Sequence, residues 1–250
     1  MASIKDAIEE CITDANAAFK FLVLAIPIYM AYNPVILGAK ELAEVQEKMS
    51  NVVSYDPWWG LGSIFLLFGL SLITTHNVIN SNNMVLPTCN IFSFIFQTIK
   101  GVFCLLPLFV LYSIIPAILI TQASNFIPEN AANLINFVIT AIFQICMFSS
   151  YILYTKNYSM KEAFNFKLIF ETIVETGIGI IFCAVVLGIA NLLISGFIIY
   201  VFAVFKLIGT PLFIYILSFL TVMNTAIFAH LLAQTGYEKL IKEENKDRII

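Results

Sequence analysis

Six apolar stretches, at residues 18–37, 60–79, 101–121, 132–154, 177–201 and 207–233, have no acidic or basic residue in their central parts. A helix needs about 20 such residues to cross a hydrocarbon core, so each stretch is long enough to do so. In a soluble domain most helices turn a charged face to water, and these stretches have none. Composition agrees: 60% of the residues are hydrophobic and 12% charged, against about 25% charged in a typical soluble protein. The reading is an all-α fold, a single integral membrane domain over residues 1–250 with six transmembrane helices. Its first expected partner is the lipid bilayer.

The basic residues orient these spans. Six spans place both termini and the second and fourth connections on one side. That side holds Lys5, Lys20, Lys100, Lys156, Lys161, Lys167, Lys239, Lys242, Lys246 and Arg248, and the other holds Lys40, Lys48 and Lys206. The positive-inside rule then puts both termini in the cytoplasm of a cell membrane. Residues 1–17 carry Asp6, Glu9, Glu10 and Asp14 against Lys5 alone. That is the wrong sign for a signal peptide, so the first span is expected to be retained. Pro27 and the pair Asn33 and Pro34 are expected to kink that span or end it early. Tyr55, Trp58, Trp59, Tyr151, Tyr154, Tyr158 and Tyr237 lie near span borders, as an interfacial aromatic belt would. The net charge of −3 gives no ground for a nucleic-acid partner.

Two connections read as helices of their own. In residues 88–100 the polar Asn90, Ser93, Gln97 and Lys100 make a narrow stripe at helical spacing, with Ile91, Phe92, Phe94, Ile95 and Ile99 around the rest. Thr88, after Pro87, is the expected N-cap. Residues 159–175 begin with Ser159 and Glu162 in capping-box spacing, and Lys161, Asn165, Thr172 and Glu175 supply much of a polar face. Both are expected to be amphipathic in-plane helices ahead of spans three and five. They also resemble each other: Ile95 to Ile99 aligns with Ile169 to Ile173 at an offset that pairs Asn83 with Asn157. An N-terminal helix with Ile4, Ile8, Ile12 and Ala15 on one side would be a third copy. The plan is then three parallel units, each an in-plane helix followed by a transmembrane hairpin. On the opposite side, Leu42, Val45, Met49 and Val52 predict a short surface helix within 38–57, with Lys40–Glu44 and Glu44–Lys48 pairs. The charge-alternating tail 238–248 reads as a solvated helix end.

Three groups of residues carry a family resemblance. They are Leu86 and Pro87 with Asn90 and Phe92 leading to Lys100 and Gly101; the run Met160 to Phe166; and Asn224, Thr225 and Ala226 followed by Ala229 to Leu232, Gly236 and Tyr237. In these the chain resembles the bacterial and archaeal membrane family called domain of unknown function 4013, over roughly residues 55–240. It departs from that family's acidic Leu-Pro-Glu-Trp type of entry, having Thr88 and Cys89 after Pro87. The resemblance implies an architecture and no catalytic residues.

Chemistry is sparse. No metalloprotease, nucleophile-elbow, phosphate-loop or dinucleotide motif is present, and no metal or other cofactor is expected. Cys11, Cys89, Cys104, Cys146 and Cys183 lack paired spacing and read as structural thiols. His76 and His230 have no intramembrane acid near them in sequence and read as hydrogen-bonded structural residues. The spans hold no mid-membrane charge, which argues against ion coupling. What remains is polar but uncharged. Asn133, Asn136, Thr140 and Gln144 share a face in span four; Ala184, Gly188, Asn191 and Ser195 do so in span five; span six adds Thr221, Asn224 and Thr225. With His230, these either hold helices together or line a polar cavity between spans four, five and six, which Pro107 and Pro116 in span three would open by kinking. The expected function is that of a non-enzymatic membrane protein that organises or assists other membrane components, with other membrane proteins or a second copy as partners. The alternative is a transporter-like protein for a small neutral or lipidic solute, with Asn136, Gln144, Asn191 and Asn224 on its path.

Overall fold

Nearly all the backbone of this chain satisfies its own hydrogen bonds in helices, as lipid demands of any spanning segment. The structure is a computed structural model that describes residues 3–50, 56–80, 84–88, 90–124 and 129–247, leaving out the side chains of 42, 46, 49, 50, 123, 124, 129–134, 183, 184, 186, 187, 190–192, 195 and 237–247. It is 87% helical, with no strand among the described residues. The helices are α1 (Ile4–Thr13), α2 (Ala17–Ile36), α3 (Leu42–Ser50), α4 (Pro57–Ile79), α5 (Ile91–Ser124), α6 (Glu129–Asn157), α7 (Met160–Ala163), α8 (Phe166–Val204) and α9 (Pro211–Asp247). Local chemistry sets their starts. The side chains of Ser3, Asp56, Asn90, Ser159, Asn165 and Thr210 each accept an otherwise unpaired backbone N–H of the first turn.

By length and composition, five helices among the described residues are apolar enough to cross a membrane: α2, α4, and the parts of α5, α6 and α9 at Ile91–Gln122, Ile135–Asn157 and Pro211–Gly236. The protein is an all-α membrane bundle. The sixth expected span coincides with α8, a continuous helix of 39 residues, several of whose side chains between 183 and 195 lie outside the description.

Several expectations are corrected. Residues 91–100 and 166–175 are not separate in-plane helices: they are the unbroken beginnings of α5 and α8, and only the one-turn α7 stands apart. No proline or helix-ending residue separates them from the apolar segments C-terminal to them, so the helical hydrogen bonding continues. The N-cap of α5 is Asn90, which accepts from Ser93 N, and not Thr88. The helix α2 does not end early, for it runs through Pro27 and Pro34 to Ile36. In α1 the buried face is Ala7 and Cys11, while Ile8 and Ile12 are exposed. Small residues there let α1 lie close on its neighbours. Tyr151 and Tyr154 are buried between helices and form no interfacial belt, whereas Trp58 and Trp59 are exposed; Tyr55 and the Tyr237 side chain fall outside the description. The short helix α3 forms where the spacing predicts it, with Val45 buried. Lys40 meets Glu44 through its backbone N–H and not through its ammonium.

The packing has a cyclic order. Helix α2 lies against α9 and α4, α5 against α4 and α6, and α8 against α6 and α9. The second helices of the three hairpins, α4, α6 and α9, also meet one another. The first helix of each hairpin therefore leans on its own partner and on the second helix of the preceding hairpin. Glycine permits the α4–α5 approach: a Cβ on Gly69 would lie 2.2 Å from Thr98 Oγ1, and one on Gly101 would lie 2.3 Å from Leu72 Cδ1. The turn into α9 uses Gly209, whose φ of 73° suits glycine and whose C=O accepts from Gly38 N.

One end of the bundle, here called the α1 end, carries a buried ion pair. The Asp14 side chain is 1% exposed and that of Lys20 is 6% exposed. Asp14 Oδ1 accepts from Lys20 Nζ, and Asp14 Oδ2 accepts from the backbone N–H groups of Val85 (2.6 Å) and Leu86 (2.9 Å). The same carboxylate thus joins the α1–α2 turn to the α4–α5 connection. Removing one partner of a buried pair strands the other charge and costs on the order of 3–5 kcal/mol. Asp14→Ala is expected to lower the thermal midpoint in detergent by several degrees. Fluorescence-detected thermal unfolding checks this, and an unchanged midpoint would show that the pair is not structural.

Candidate functional site at the α1 end of the bundle

The middle of the polar stripe of residues 90–100, Ser93 and Gln97, faces into the protein, while Asn90 and Lys100 at its ends are exposed. On this first part of α5 Ile91, Phe92, Ile95, Phe96 and Ile99 are exposed, as is Lys100 at its end, while Ser93 and Gln97 are half-buried and Thr98 is buried. Ser93 and Gln97 line a cavity of about 220 Å³ together with His76, Asn77, Pro87 and Thr88. Between the exposed Asn90 and Lys100, apolar residues point outward and Ser93, Gln97 and Thr98 toward a neighbour, the inverse of a water-facing helix.

His76 is held firmly at this cavity. Its Nδ1 lies 2.6 Å from Thr155 O. A carbonyl only accepts, so Nδ1 carries the proton; Asn80 Nδ2, 3.1 Å from the same nitrogen, has two closer carbonyl acceptors for its two hydrogens, and in the neutral ring Nε2 is left as an acceptor. The ring stacks on Tyr158, with centroids 4.2 Å apart and 24° between planes. Tyr158 has a φ of 50°, a left-handed conformation that turns the chain from α6 into α7. The Tyr158 hydroxyl donates to Gln97 Oε1 (3.4 Å), and Gln97 Nε2 donates to Ser93 Oγ (3.4 Å). Lys100 Nζ lies 5.9 Å from the centre of the Tyr158 ring. Burial first, and the Tyr151 and Tyr154 phenols second, push the Tyr158 phenol well above its usual range, so it stays a neutral donor. Asn80 Nδ2 donates to the C=O groups of His76 (2.9 Å) and Lys156 (3.0 Å), tying the ends of α4 and α6.

A second histidine sits across the bundle with a different partner. His230 on α9 is buried, and its Nε2 is 2.7 Å from Glu10 Oε2 on α1. Ser3 N donates to Gln234 Oε1 (2.8 Å) one turn further along α9. Among the described residues, His230 Nδ1 is buried without a hydrogen-bond partner. Since the carboxylate accepts, Nε2 bears its hydrogen, and the tautomer is opposite to that of His76.

Deeper in the bundle several polar groups pair, while the Thr74, Ser149 and Tyr154 hydroxyls are buried without a hydrogen-bond partner among the described residues. Ser71 Oγ and Tyr151 OH are 2.8 Å apart, Tyr112 OH and Ser150 Oγ are 3.0 Å apart, and Thr75 Oγ1 donates to Ala229 O at 3.3 Å. Beside them is a cavity of about 140 Å³, lined mainly by Phe68, Phe109, Met147, Phe148, Phe228 and Leu232.

Of the residues singled out in the sequence, Asn136 and Gln144 are exposed and Thr140 is half-buried, donating to Asn136 Oδ1 at 3.2 Å. Asn224 is half-buried on α9, and His230 is buried against Glu10. The side chains of Asn133 and Asn191 lie outside the description. None of Asn136, Gln144 and Asn224 lines either cavity. Sequence reasoning does not single out Asn80, Tyr158 or Glu10 as a site residue. A signal for the first cavity is nevertheless present in the Asn90, Ser93, Gln97 stripe, whose pattern by itself suits a face turned to water. Among the described residues no three His, Cys, Asp or Glu side chains gather to hold a metal.

No family model, curated protein or solved structure matches this chain.

The α1 contact makes its own prediction through Cys11, which is buried under α1 as a free thiol. Burial, then Asp14 and Glu10, push that thiol up to about 12. The folded state holds its proton where an unfolded chain with an ordinary value of 9.0 releases it. The stabilisation is therefore complete below pH 9 and is lost as pH rises toward 12. Glu10→Ala, which releases His230, is expected to raise the rate of maleimide labelling at Cys11 at pH 8 about tenfold or more. Mass spectrometry of the labelled protein reads this out, and an unchanged rate would mean that Glu10 does not hold α1 down.

Proposed function

We propose that this is a six-span cell-membrane protein with both termini in the cytoplasm, and that it acts without catalysis to organise or assist other membrane components. The resemblance to domain of unknown function 4013 fits this plan and adds no activity to it. The observation that carries the reading is Gln144. It lies well inside the apolar segment Ile135–Asn157 and its side chain is exposed. A primary amide in hydrocarbon has no hydrogen-bond partner in lipid tails, so a polar group of another helix stabilises it. The Ser71–Tyr151 and Tyr112–Ser150 hydroxyl pairs support the same reading, since those four groups are satisfied within the chain, while the Thr74, Ser149 and Tyr154 hydroxyls are buried without a hydrogen-bond partner among the described residues. The partner is another membrane protein or a second copy of this one.

A photo-crosslinking residue placed at 144, with one at the exposed Ile118 of α5 as reference, tests this in native membranes. A protein adduct formed from 144 and not from 118 is the expected result. Adducts with lipid alone at both positions would sink the proposal.

A second reading, passage of a small neutral or lipidic solute, has its own observation. Asn136, Thr140, Met147 and Tyr151 succeed one another on one face of α6, as Thr221, Thr225, Phe228 and Leu232 do on α9, with Asn224 one turn before Phe228. On these faces Met147, Tyr151, Phe228 and Leu232 line the smaller cavity, while Asn136 is exposed and Thr140, Thr221, Asn224 and Thr225 are half-buried. Asn224→Cys is then expected to react with a membrane-impermeant thiol reagent in sealed vesicles. Complete protection of that cysteine would remove the solute path.

A further inference from the structure

His76 and His230 occupy matching places on two inner helices. Each directly succeeds a residue of the touching pair Thr75 and Ala229, which are 154 residues apart. At the α9 position the first helix of the chain supplies a carboxylate, and Glu10 meets Nε2 of His230. At the α4 position no charged side chain of the described residues takes that place. The 220 Å³ cavity lies there instead, lined by Asn77, Thr88, Ser93 and Gln97.

We propose that this cavity is a binding site for a neutral hydroxylated group of the glycerol type, whose hydroxyl donates to His76 Nε2. The tautomers decide the chemistry. His230 offers an N–H and has an anion as partner; His76 spends its N–H on Thr155 O and offers a lone pair. It therefore calls for a donor. The remaining wall combines the apolar Ile73, Pro87 and Phe94 with the hydroxyls and amides of Asn77, Thr88, Ser93 and Gln97, which both donate and accept, as the adjacent hydroxyls of a polyol do. Among the described residues the lining holds no acidic or basic side chain apart from the imidazole. A buried ion would be desolvated there without a counter-charge, which is strongly unfavourable. Space suffices: a single water takes roughly 10–15 Å³ by the same kind of measure, so the cavity has room for a small organic group. The Tyr158 ring behind His76 and the Asn80 bonds to both helix ends keep the imidazole fixed, so its lone pair is oriented before anything binds. This inference is independent of whether the protein organises partners or passes a solute.

The group has two sources, a free polyol or a lipid with a glycerol head, and the test separates them. The chain has only two histidines, so imidazole ¹⁵N labelling gives one resonance pair for the site and one internal reference. Protein in phosphatidylcholine nanodiscs is titrated with glycerol in one arm. In the other it is placed in discs containing increasing amounts of monooleoylglycerol. The expected result is a saturable shift of the His76 Nε2 signal while His230 stays in place. A shift with monooleoylglycerol alone assigns a lipid head, and one with glycerol at millimolar levels assigns a soluble polyol. Ser93→Ala and Gln97→Leu are each expected to weaken the response about tenfold, with the His230 signals reporting that the fold is intact. Absence of a His76 shift in both arms overturns the proposal. So does a shift that Ser93→Ala leaves unchanged, or one shared equally by His230.

Discussion

Asp14 is the point on which the α1 end of the bundle depends. Its carboxylate has almost no contact with water, and it is tolerable only because Lys20 and two backbone N–H groups surround it. Those partners belong to different parts of the chain, the start of α2 and the connection between α4 and α5. Satisfying one buried charge therefore fixes the spatial relation of the first hairpin to the second. It also fixes Leu86, which is buried, and Pro87, which forms part of the cavity wall at His76. Any arrangement that leaves this carboxylate bare is costly, so the geometry is narrowly specified.

Above that end, small side chains and hydroxyls do the work that oil-like side chains do in a soluble core. Lipid is as apolar as leucine, so burial alone brings helices together only weakly in a bilayer. Gly69 and Gly101 let α4 and α5 approach closely. The Ser71–Tyr151 and Tyr112–Ser150 pairs then join α4 to α6 and α5 to α6. The cyclic order of the helices comes from such contacts, since the first helix of each hairpin finds a neighbour on both sides.

The legible part of this fold is what lipid and helical period dictate. Uncharged apolar stretches of about 20 residues or more mark α2, α4, α5, α6, α8 and α9, the length a helix needs to cross lipid. Ser159 and Glu162 mark the start of α7 because a cap is a local bond. The stripe Asn90, Ser93 and Gln97 is also visible, yet its partner is not. Period shows that residues share a face, and it leaves open whether that face meets water or another helix. The same limit applies to His76 and His230, which look alike in sequence and differ in what each ring nitrogen meets. The acid near His230 is Glu10, at the other end of the sequence.

The sequence by itself determined that the chain lives in a bilayer, that it is helical, and where its apolar helices run, because these depend on charge and local period. Only the tertiary structure decided that residues 91–100 and 166–175 are continuous with the helices after them. It alone brought Ser93 and Gln97 to His76, Glu10 to His230 and Asp14 to Val85 and Leu86. Each of these meetings joins residues far apart in the chain. Such contacts leave no mark in a local pattern, because either partner alone reads as an ordinary residue of its type.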